Sequence, residues 1–544
     1  MKIALAQLNY HIGNFEANTK KIIDAIIEAK SKNADIVLFG ELAVCGYPPR
    51  DFLEFDDFIN RCQISINEIT AHTEGIAVVV GCPIKNPKIE GKDLFNAAYF
   101  IADKKIIHVT HKTLLPTYDV FDEYRYFEPN EIFECVTYNG KKIAVTICED
   151  IWNVGNENPL YQTCPMDFLI KQSPDFILNL SASPFNYTHP ALRHHTVKAN
   201  VDNYKIPMYY CNNVGAQTEL IFDGGSMVYD AQGNCCGMLP HFEECIEVFD
   251  SENLKAQEAP DYTQQKYRLM YDALVMGIKD YFQKMGFKKA ILGLSGGVDS
   301  ALVLCLAVAA LGKENVMSVL LPSQYSTGHS VDDSLALVKN LGSPHEIIPI
   351  KDAFDTFEKL LAPQFKDLPE NVTEENIQAR CRAVLLMAMS NKFGYILLNT
   401  TNKSEAAVGY GTLYGDMCGG IAVLGDVYKT EVYEICNYIN IDKEIIPLHI
   451  LTKAPSAELR PGQKDSDSLP EYSLLDSLLY QYIEKRQGPN ELLALGFDKA
   501  LIDRVLKMVN SNEWKRHQTP PILRVSPCAF GVGRRIPIVG KYLS

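Results

Sequence analysis

Residues 294–300, Leu294-Ser295-Gly296-Gly297-Val298-Asp299-Ser300, form a small, donor-rich stretch between an apolar run and a helical pattern. Ala290 to Leu294 reads as a short buried strand, and Ala301 to Ala310 as an apolar run of helical length. A loop in that place lies at a helix N-terminus. Glycines there let the backbone approach a ligand, unpaired N–H groups and the helix dipole favour an anion, and Ser295 and Ser300 add hydroxyl donors. Asp299 supplies a carboxylate able to hold Mg²⁺ against phosphates. The ligand that fits is the pyrophosphate of ATP. No Gly-Lys-Ser/Thr sequence occurs in the chain, so this is not the P-loop of kinases and GTPases.

A second set of reactive residues lies in the first half. Glu41 follows the apolar run 36–40, Lys112 follows 106–109, and Cys148 follows 143–147. Each stands at or just past a strand end, where sites are built in such sheets. A thiol, a carboxylate and an ammonium suit amide hydrolysis. The sulfur attacks the carbonyl, the carboxylate takes the thiol proton and later activates water, and the ammonium stabilises the oxyanion. Cys45, a few residues past Glu41, is a rival nucleophile.

The elements that position these groups follow from composition and pattern. At 544 residues the chain exceeds one ordinary core, and 47% hydrophobic with 22% charged residues is a soluble globular balance. Up to Phe249, short apolar strands dominate: Lys2–Leu8, Asp35–Phe39, Ile76–Val80, Ala97–Ala102, Ile143–Ile147, Phe176–Leu180, Met208–Asn212 and Ser226–Tyr229. Asn139-Gly140 and Gln232-Gly233-Asn234 are hairpin-type turn signals. Residues 250–260 are polar and aperiodic. A helical pattern from Gln264 to Met285 then opens a half that alternates helices with strands at Ala290–Leu294, Val316–Leu321 and Tyr395–Leu398, as a doubly wound parallel sheet requires. The expected division is 1–250, a linker at 251–265, and 266–544.

Several function classes are disfavoured. A formal charge of −15 argues against tight binding of nucleic acid. No apolar run approaches membrane-spanning length, and Gln7 and Asn9 interrupt the start too early for a secretory h-region, so a cytoplasmic protein is expected. Fifteen cysteines without a Cys-x-x-Cys pair argue against a disulfide framework or zinc site.

The loop at 294–300 resembles the PP-loop of ATP pyrophosphatases. Members cleave ATP between its α and β phosphates, adenylate an acceptor oxygen, and let a nitrogen or sulfur nucleophile displace AMP. The loop by itself does not name the acceptor. Gly40-Glu41-Leu42-Ala43-Val44-Cys45-Gly46-Tyr47-Pro48, His111-Lys112-Thr113-Leu114-Leu115-Pro116 and Ile147-Cys148-Glu149-Asp150-Ile151-Trp152 closely resemble the three signatures of the nitrilase (carbon-nitrogen hydrolase) superfamily over about the first 250 residues. That resemblance implies an α-β-β-α sandwich with a Glu41-Lys112-Cys148 triad. It also sets Cys45 aside, because only Cys148 is followed by the expected Glu-Asp-x-Trp.

The two halves in this order resemble the glutamine-dependent NAD⁺ synthetase family over essentially the whole chain. The resemblance implies a glutamine amidohydrolase domain feeding ammonia, through an internal tunnel, to a domain that adenylates the nicotinate carboxylate of deamido-NAD⁺. It implies Mg²⁺ as cofactor, ATP as cosubstrate, and a homo-oligomer. A dry passage has a physical motive, since free ammonia in water becomes non-nucleophilic ammonium.

Residue by residue, the resemblance makes Gly293, Leu294, Ser295, Gly296, Gly297, Val298, Asp299 and Ser300 the ATP loop, joined by Thr400, Lys429 and Ser456. Asn376, Arg380, Glu405 and Lys515 face deamido-NAD⁺, and Asp299 with Glu405 holds Mg²⁺. Tyr118, Glu123, Ser181 and Arg193 match glutamine-pocket positions. His189 replaces a lysine there, since Thr188-His189 stands where the family usually has Gly-Lys.

Three alternatives remain on sequence grounds. Another glutamine-fed PP-loop ligase would carry a different amidotransferase domain, and a tRNA-modifying PP-loop enzyme is disfavoured by the acidic balance. A non-catalytic module would have lost triad or loop residues, and none is missing. The His189 substitution generates a prediction: a protonatable imidazole should make glutamine use weaker or more pH-sensitive than with lysine. His189→Lys is expected to lower the glutamine KM and flatten its pH dependence over about pH 6 to 8. An unchanged KM profile in steady-state assays would contradict it.

Overall fold

The computed structural model describes residues 1–155, 159–262, 264–366 and 368–543. They form two compact units, Met1–Gln265 and Lys266–Ser544.

In the first unit the strands are β1 (Lys2–Gln7), β2 (Ile36–Leu38), β3 (Ala77–Lys85), β4 (Leu94–Ala102), β5 (Lys105–His111), β6 (Val136–Tyr138) and β7 (Lys141–Ile147). Then follow β8 (Phe176–Ser181), β9 (Met208–Asn212), β10 (Val214–Gln217), β11 (Leu220–Asp223), β12 (Met227–Tyr229), β13 (Cys235–Met238) and β14 (Cys245–Asp250). One six-stranded sheet runs β14-β1-β2-β3-β4-β5 and the other β13-β12-β9-β8-β7-β6, while β10 and β11 pair separately. Helices α1 (Phe15–Ser31) and α2 (Asp56–Ala71) precede the short α3 (Pro165–Leu169) and the longer α4 (His189–Tyr204).

Three apolar layers account for this stack. Ile3, Leu5, Leu38 and Val79 of the first sheet meet Val145, Ile147, Leu178 and Tyr209 of the second. The outer face of the first sheet, with Ala4, Val37 and Val78, packs on Ile22, Ile26, Cys62 and Ile66 of α1 and α2. The outer face of the second, with Ile177 and Met208, packs on Val197 and Val201 of α4. Strands covered on both faces read as near-continuous apolar runs, and β1, β4 and β8 are buried almost throughout, with the buried Gln7, Asn96, Asn179 and Ser181 as their polar interruptions. The result is the α-β-β-α sandwich. Asn139 and Gly140, at φ 47° and 76°, both take the positive φ that a two-residue I′ hairpin between β6 and β7 needs.

Strand β14 was not among the expected strands. It pairs antiparallel with β1 at the sheet edge, Lys2 opposite Asp250, and only Phe249 of its six residues is buried. A half-exposed edge strand carries too few apolar residues to stand out from a polar connector. The segment after it lies along the first unit, with Gln257 N–H donating to Cys235 O at 2.8 Å and the Tyr262 hydroxyl 2.9 Å from His241 Nε2.

The second unit opens with α5 (Lys266–Met285), then β15 (Lys289–Gly293), α6 (Val298–Leu311), β16 (Val316–Leu320), α7 (Gly328–Leu341), β17 (His345–Ile347), α8 (Lys351–Phe365) and α9 (Val372–Phe393). Next come β18 (Tyr395–Asn399), α10 (Lys403–Val408), β19 (Ile421–Ala422) and α11 (Lys429–Ile439). Its sheet is parallel throughout, in the order β17-β16-β15-β18-β19. The winding reverses between β15 and β18, and crevices at such switch points bind ligands in open α/β sheets. Phe354 and Ile377 of α8 and α9 cover one face of the sheet with Ile291, Val319 and Leu397. Helix α6 is buried from Ala301 through Ala307, so it is apolar around its whole circumference. A further helical cluster, built on Leu475, Leu478, Val505 and Val509, packs against Ala407 of α10. Among the described residues no helix is long and apolar enough to cross a membrane.

Candidate functional site

The first unit gathers Glu41, Lys112 and Cys148 at strand ends. Glu41 lies just past β2, Lys112 follows β5 directly, and Cys148 follows β7. Gly81 of β3 lets the Glu41 loop come this close, since a Cβ there would stand 2.3 Å from Leu42 N. Glu41 and Lys112 have no solvent exposure, and Cys148 is 5% exposed. Lys112 Nζ donates to Glu41 Oε1 at 2.7 Å and to both oxygens of Glu123 at 2.8 Å. Asn96 Nδ2 also donates to Glu41 Oε1, at 2.7 Å, and Ala182 N–H to Oε2 at 3.2 Å. Tyr47 adds its hydroxyl to Glu123 at 2.8 Å.

These charges set the protonation states. Burial works against the Lys112 ammonium, but Glu123 and Glu41 outweigh it and hold its pKa well above the ordinary lysine value. Burial pushes the Glu123 carboxyl up to about 7, with Lys112 opposing and Glu41 adding. Burial also drives the Cys148 thiol well up, the Glu41 charge adds to it, and Lys112 offsets part of the rise. Cys148 therefore rests as a thiol. Cys148 sits at φ 45°, a left-handed conformation that costs a non-glycine residue on the order of 1 kcal/mol or more.

Of the expected glutamine contacts, Tyr118 donates its hydroxyl to Glu149 Oε1 at 2.8 Å, where Tyr161 also donates at 3.1 Å. Glu149 is buried beside Cys148, and burial raises its carboxyl despite Lys112 and the two tyrosines. His189 stacks on Trp152, centroids 5.5 Å apart at 19°, with its Nδ1 3.5 Å from Ser183 Oγ. Ser181 lies beneath Glu41, its carbonyl accepting from the Glu41 N–H and its hydroxyl donating to Asn179 at 2.7 Å. The Arg193 guanidinium is committed to Asp223, at 2.7 and 2.9 Å, and to Gly224 O at 2.6 Å. Glu149 and Ser183 were not singled out from sequence. The Cys-Glu-Asp run was the available signal for the first.

In the second unit the loop 293–300 lines a cavity of about 290 Å³ at the switch point, with Leu397 to Thr401, Glu405, Lys429 and Ser456. Gly296 takes φ 78°, and a Cβ there would stand 2.4 Å from Ser330 O, so only glycine fits. Ser295 Oγ accepts from Gly297 N–H at 3.2 Å, and Ser300 Oγ donates to Gly297 O at 3.1 Å, so both hydroxyls knit the loop. Leu321, Leu386 and Leu397 make part of the wall apolar, and Arg382, beyond the expected residues, adds a guanidinium.

Lys429 lies between Asp299, which its Nζ hydrogen-bonds, and Glu405, at 3.7 Å. Asn402 Nδ2 holds the other Asp299 oxygen at 2.9 Å. Burial raises the Glu405 carboxyl to about 8, Asp299 adds, and Lys429 opposes. Helix α10, which carries Glu405, is anchored by the fully buried Lys403, 2.8 Å from both Asp426 and Glu484. Asn376, Arg380 and Lys515 converge on another feature, the segment Gly409–Leu413. Asn376 Oδ1 accepts from Thr412 at 2.6 Å, Arg380 Nε donates to Leu413 O at 3.2 Å, and Lys515 Nζ donates to Gly409 O at 3.0 Å. Among the described residues no group of three or more His, Cys, Asp or Glu is arranged to hold a metal.

The Glu123 carboxyl yields a prediction. Its folded pKa, about 7, lies above its ordinary 4.5, so the folded state binds the extra proton and this group's contribution to stability falls as pH rises through that window. Glu123→Gln is expected to reduce the loss of stability between about pH 5 and 7 seen in denaturant titrations of the wild type. An identical pH slope in the two proteins would contradict it.

The comparisons with known proteins follow the same division. The family model described as carbon-nitrogen hydrolase matches residues 2–256, and that described as NAD synthase matches residues 270–519. A glutamine-dependent NAD(+) synthetase of Synechocystis sp. is 44% identical over 552 residues, covering 99% of this chain and 99% of its own. One from Thermotoga maritima is 41% identical over 579 residues, covering 100% of this chain and 99% of its own. The structure of a glutamine-dependent NAD+ synthetase from Acinetobacter baumannii in complex with ADP is 38% identical, with a TM-score of 0.79 over 99% of this chain and 98% of that one. Similarity at this level over the whole length, on a sandwich followed by a parallel-sheet unit with a cavity at its switch point, places the chain in the family of glutamine-dependent NAD(+) synthetases.

Proposed function

We propose that the first unit hydrolyses the side-chain amide of glutamine at Cys148 and that the second uses the ammonia, with ATP, to convert deamido-NAD⁺ to NAD⁺. The observation that carries the reading is the buried cluster of Glu41, Lys112 and Cys148, with no solvent exposure of the ion pair. A thiol raised by burial cannot ionise ahead of substrate, so Glu41 takes its proton as sulfur attacks the carboxamide carbon. The carbonyl oxygen becomes an oxyanion, and the Lys112 ammonium, held protonated by Glu123 and Glu41, stabilises it. Glu41 returns the proton to the departing nitrogen, leaving ammonia and a glutamyl thioester. Water, deprotonated by Glu41, then releases glutamate and restores the thiol. Glu149, ringed by Tyr118 and Tyr161, offers a buried carboxylate for the substrate's α-ammonium, and Ser183 with His189 offers donors for its carboxylate.

In the second unit the loop 294–300 holds the ATP phosphates, with Lys429 neutralising charge as pyrophosphate leaves. The nicotinate carboxylate attacks the α-phosphorus, pyrophosphate departs, and ammonia then displaces AMP from the acyl adenylate. Ammonia is handed on through an internal tunnel, which keeps it unprotonated. Asn376, Arg380 and Lys515 are the proposed contacts to deamido-NAD⁺, and Thr400 and Ser456 to ATP. Asp299 and Glu405 fit a Mg²⁺ ion, since two hard carboxylates share the one Lys429 ammonium. When bound there, the ion would screen phosphate charge. The protein is proposed to be cytoplasmic and a homo-oligomer.

Two substitutions test the division of labour. Cys148→Ala is expected to lower glutamine-driven NAD⁺ synthesis by about three orders of magnitude while ammonia-driven synthesis is unchanged. Loss of both would mean that the roles are wrongly divided. Asp299→Ala is expected to reduce synthesis from either nitrogen source by about a hundredfold or more in steady-state assays. Full activity there would reassign the metal and phosphate site.

A further inference from the structure

Asp150 ends one short segment of hydrogen bonds that joins two reactive loops. It stands third in the helical turn Cys148–Ile151 and is 2% exposed. Its Oδ2 accepts from the N–H of Ile147, the residue before the nucleophile, at 3.0 Å. Its Oδ1 accepts from Thr113 and Leu114, the two residues after Lys112, at 3.0 and 2.9 Å. The backbone on one side of this clamp is the left-handed Cys148 turn, and on the other it carries the buried ammonium.

We infer that Asp150 is a positioning residue for amide hydrolysis, its single carboxylate fixing the Lys112 loop against the Cys148 turn so that ammonium and sulfur keep one geometry. The inference rests on the roles proposed for Glu41, Lys112 and Cys148. Three N–H donors from two loops converge on one point, and a carboxylate has acceptor sites for all of them. An asparagine has one acceptor oxygen, and its NH₂ would face a donor from one loop or the other. That loop would lose its anchor and leave a buried N–H unpaired. The Cys148 conformation is strained and persists only where its surroundings hold it. Releasing Ile147 lets the turn relax, and releasing Thr113 and Leu114 lets Lys112 move. Either change leaves the residues present but misaligned, and a misplacement of about 1 Å can cost on the order of a hundredfold in rate.

The test uses the full-length enzyme as wild type, Asp150→Asn and Cys148→Ala. Glutamine hydrolysis and NAD⁺ synthesis from glutamine or ammonium are measured. Alkylation of Cys148 by iodoacetamide is followed across pH by peptide mass spectrometry. For Asp150→Asn the expected result is a fall in glutaminase kcat of about tenfold to a hundredfold, with glutamine KM and ammonia-driven synthesis unchanged. The alkylation midpoint should move to higher pH, because a displaced ammonium stabilises the thiolate less. Wild-type kcat and an unshifted alkylation profile would overturn the inference. A lowered melting temperature with kcat per folded enzyme retained would overturn it too, since that is a structural role only. Should Asp150→Asn also lose ammonia-driven synthesis through misfolding, Asp150→Glu, which keeps the acceptors but displaces them, is judged by the same readouts. If Cys148→Ala retains glutamine-driven synthesis, the triad reading itself fails, and the inference with it.

Discussion

A lysine ammonium with no access to water is the constraint on which the first unit's chemistry depends. Removing such a charge from water costs several kcal/mol, and the cost is offset only by close, well-formed partners. Lys112 has two, Glu41 and Glu123, with three hydrogen bonds of 2.7 to 2.8 Å. The partners must in turn be buried and satisfied, which recruits Asn96, Tyr47 and the Ala182 N–H. Once these groups are fixed, Cys148 is buried beside them. The sandwich supplies what the charges need, because its strands end at the same place and its inner layer excludes water.

The second unit solves a related problem in the same way. Lys429 sits between Asp299 and Glu405, and Lys403, fully buried, between Asp426 and Glu484. In the first of these the carboxylates line the cavity at the sheet's switch point. In the second they fix the helix that presents Glu405. Buried cations thus organise both units. In each, a low-dielectric environment makes a fixed charge more effective than it would be in water.

Much of this was legible in the sequence. Glu41, Lys112 and Cys148 each follow an apolar run, so strand-end positions could be read locally, and the Ser-Gly-Gly loop lies between a strand and a helix as expected. What escaped depended on contacts between distant segments. Nothing near Arg193 in the chain shows that Asp223, 30 residues away, claims its guanidinium. Asp150 reads as one acidic residue in a short motif until the fold brings Thr113 and Leu114 to it. Arg382 lies within a few residues of Arg380, but which of the two lines the cavity is decided by helix phase in the folded chain. Strand β14 was hidden because an edge strand needs little apolar surface. The helical cluster around Leu478 and Val505 was likewise invisible as a unit, because its partner is α10, far earlier in the chain.

The most direct measurement supplies the purified protein with ATP, Mg²⁺, deamido-NAD⁺ and glutamine labelled with ¹⁵N in its side-chain amide, and follows the products by chromatography and mass spectrometry. One ¹⁵N in each NAD⁺, with AMP and pyrophosphate formed in equal amount, is the predicted result. Unlabelled NAD⁺, or ADP in place of AMP, would contradict the coupling of amide hydrolysis to adenylation in this chain.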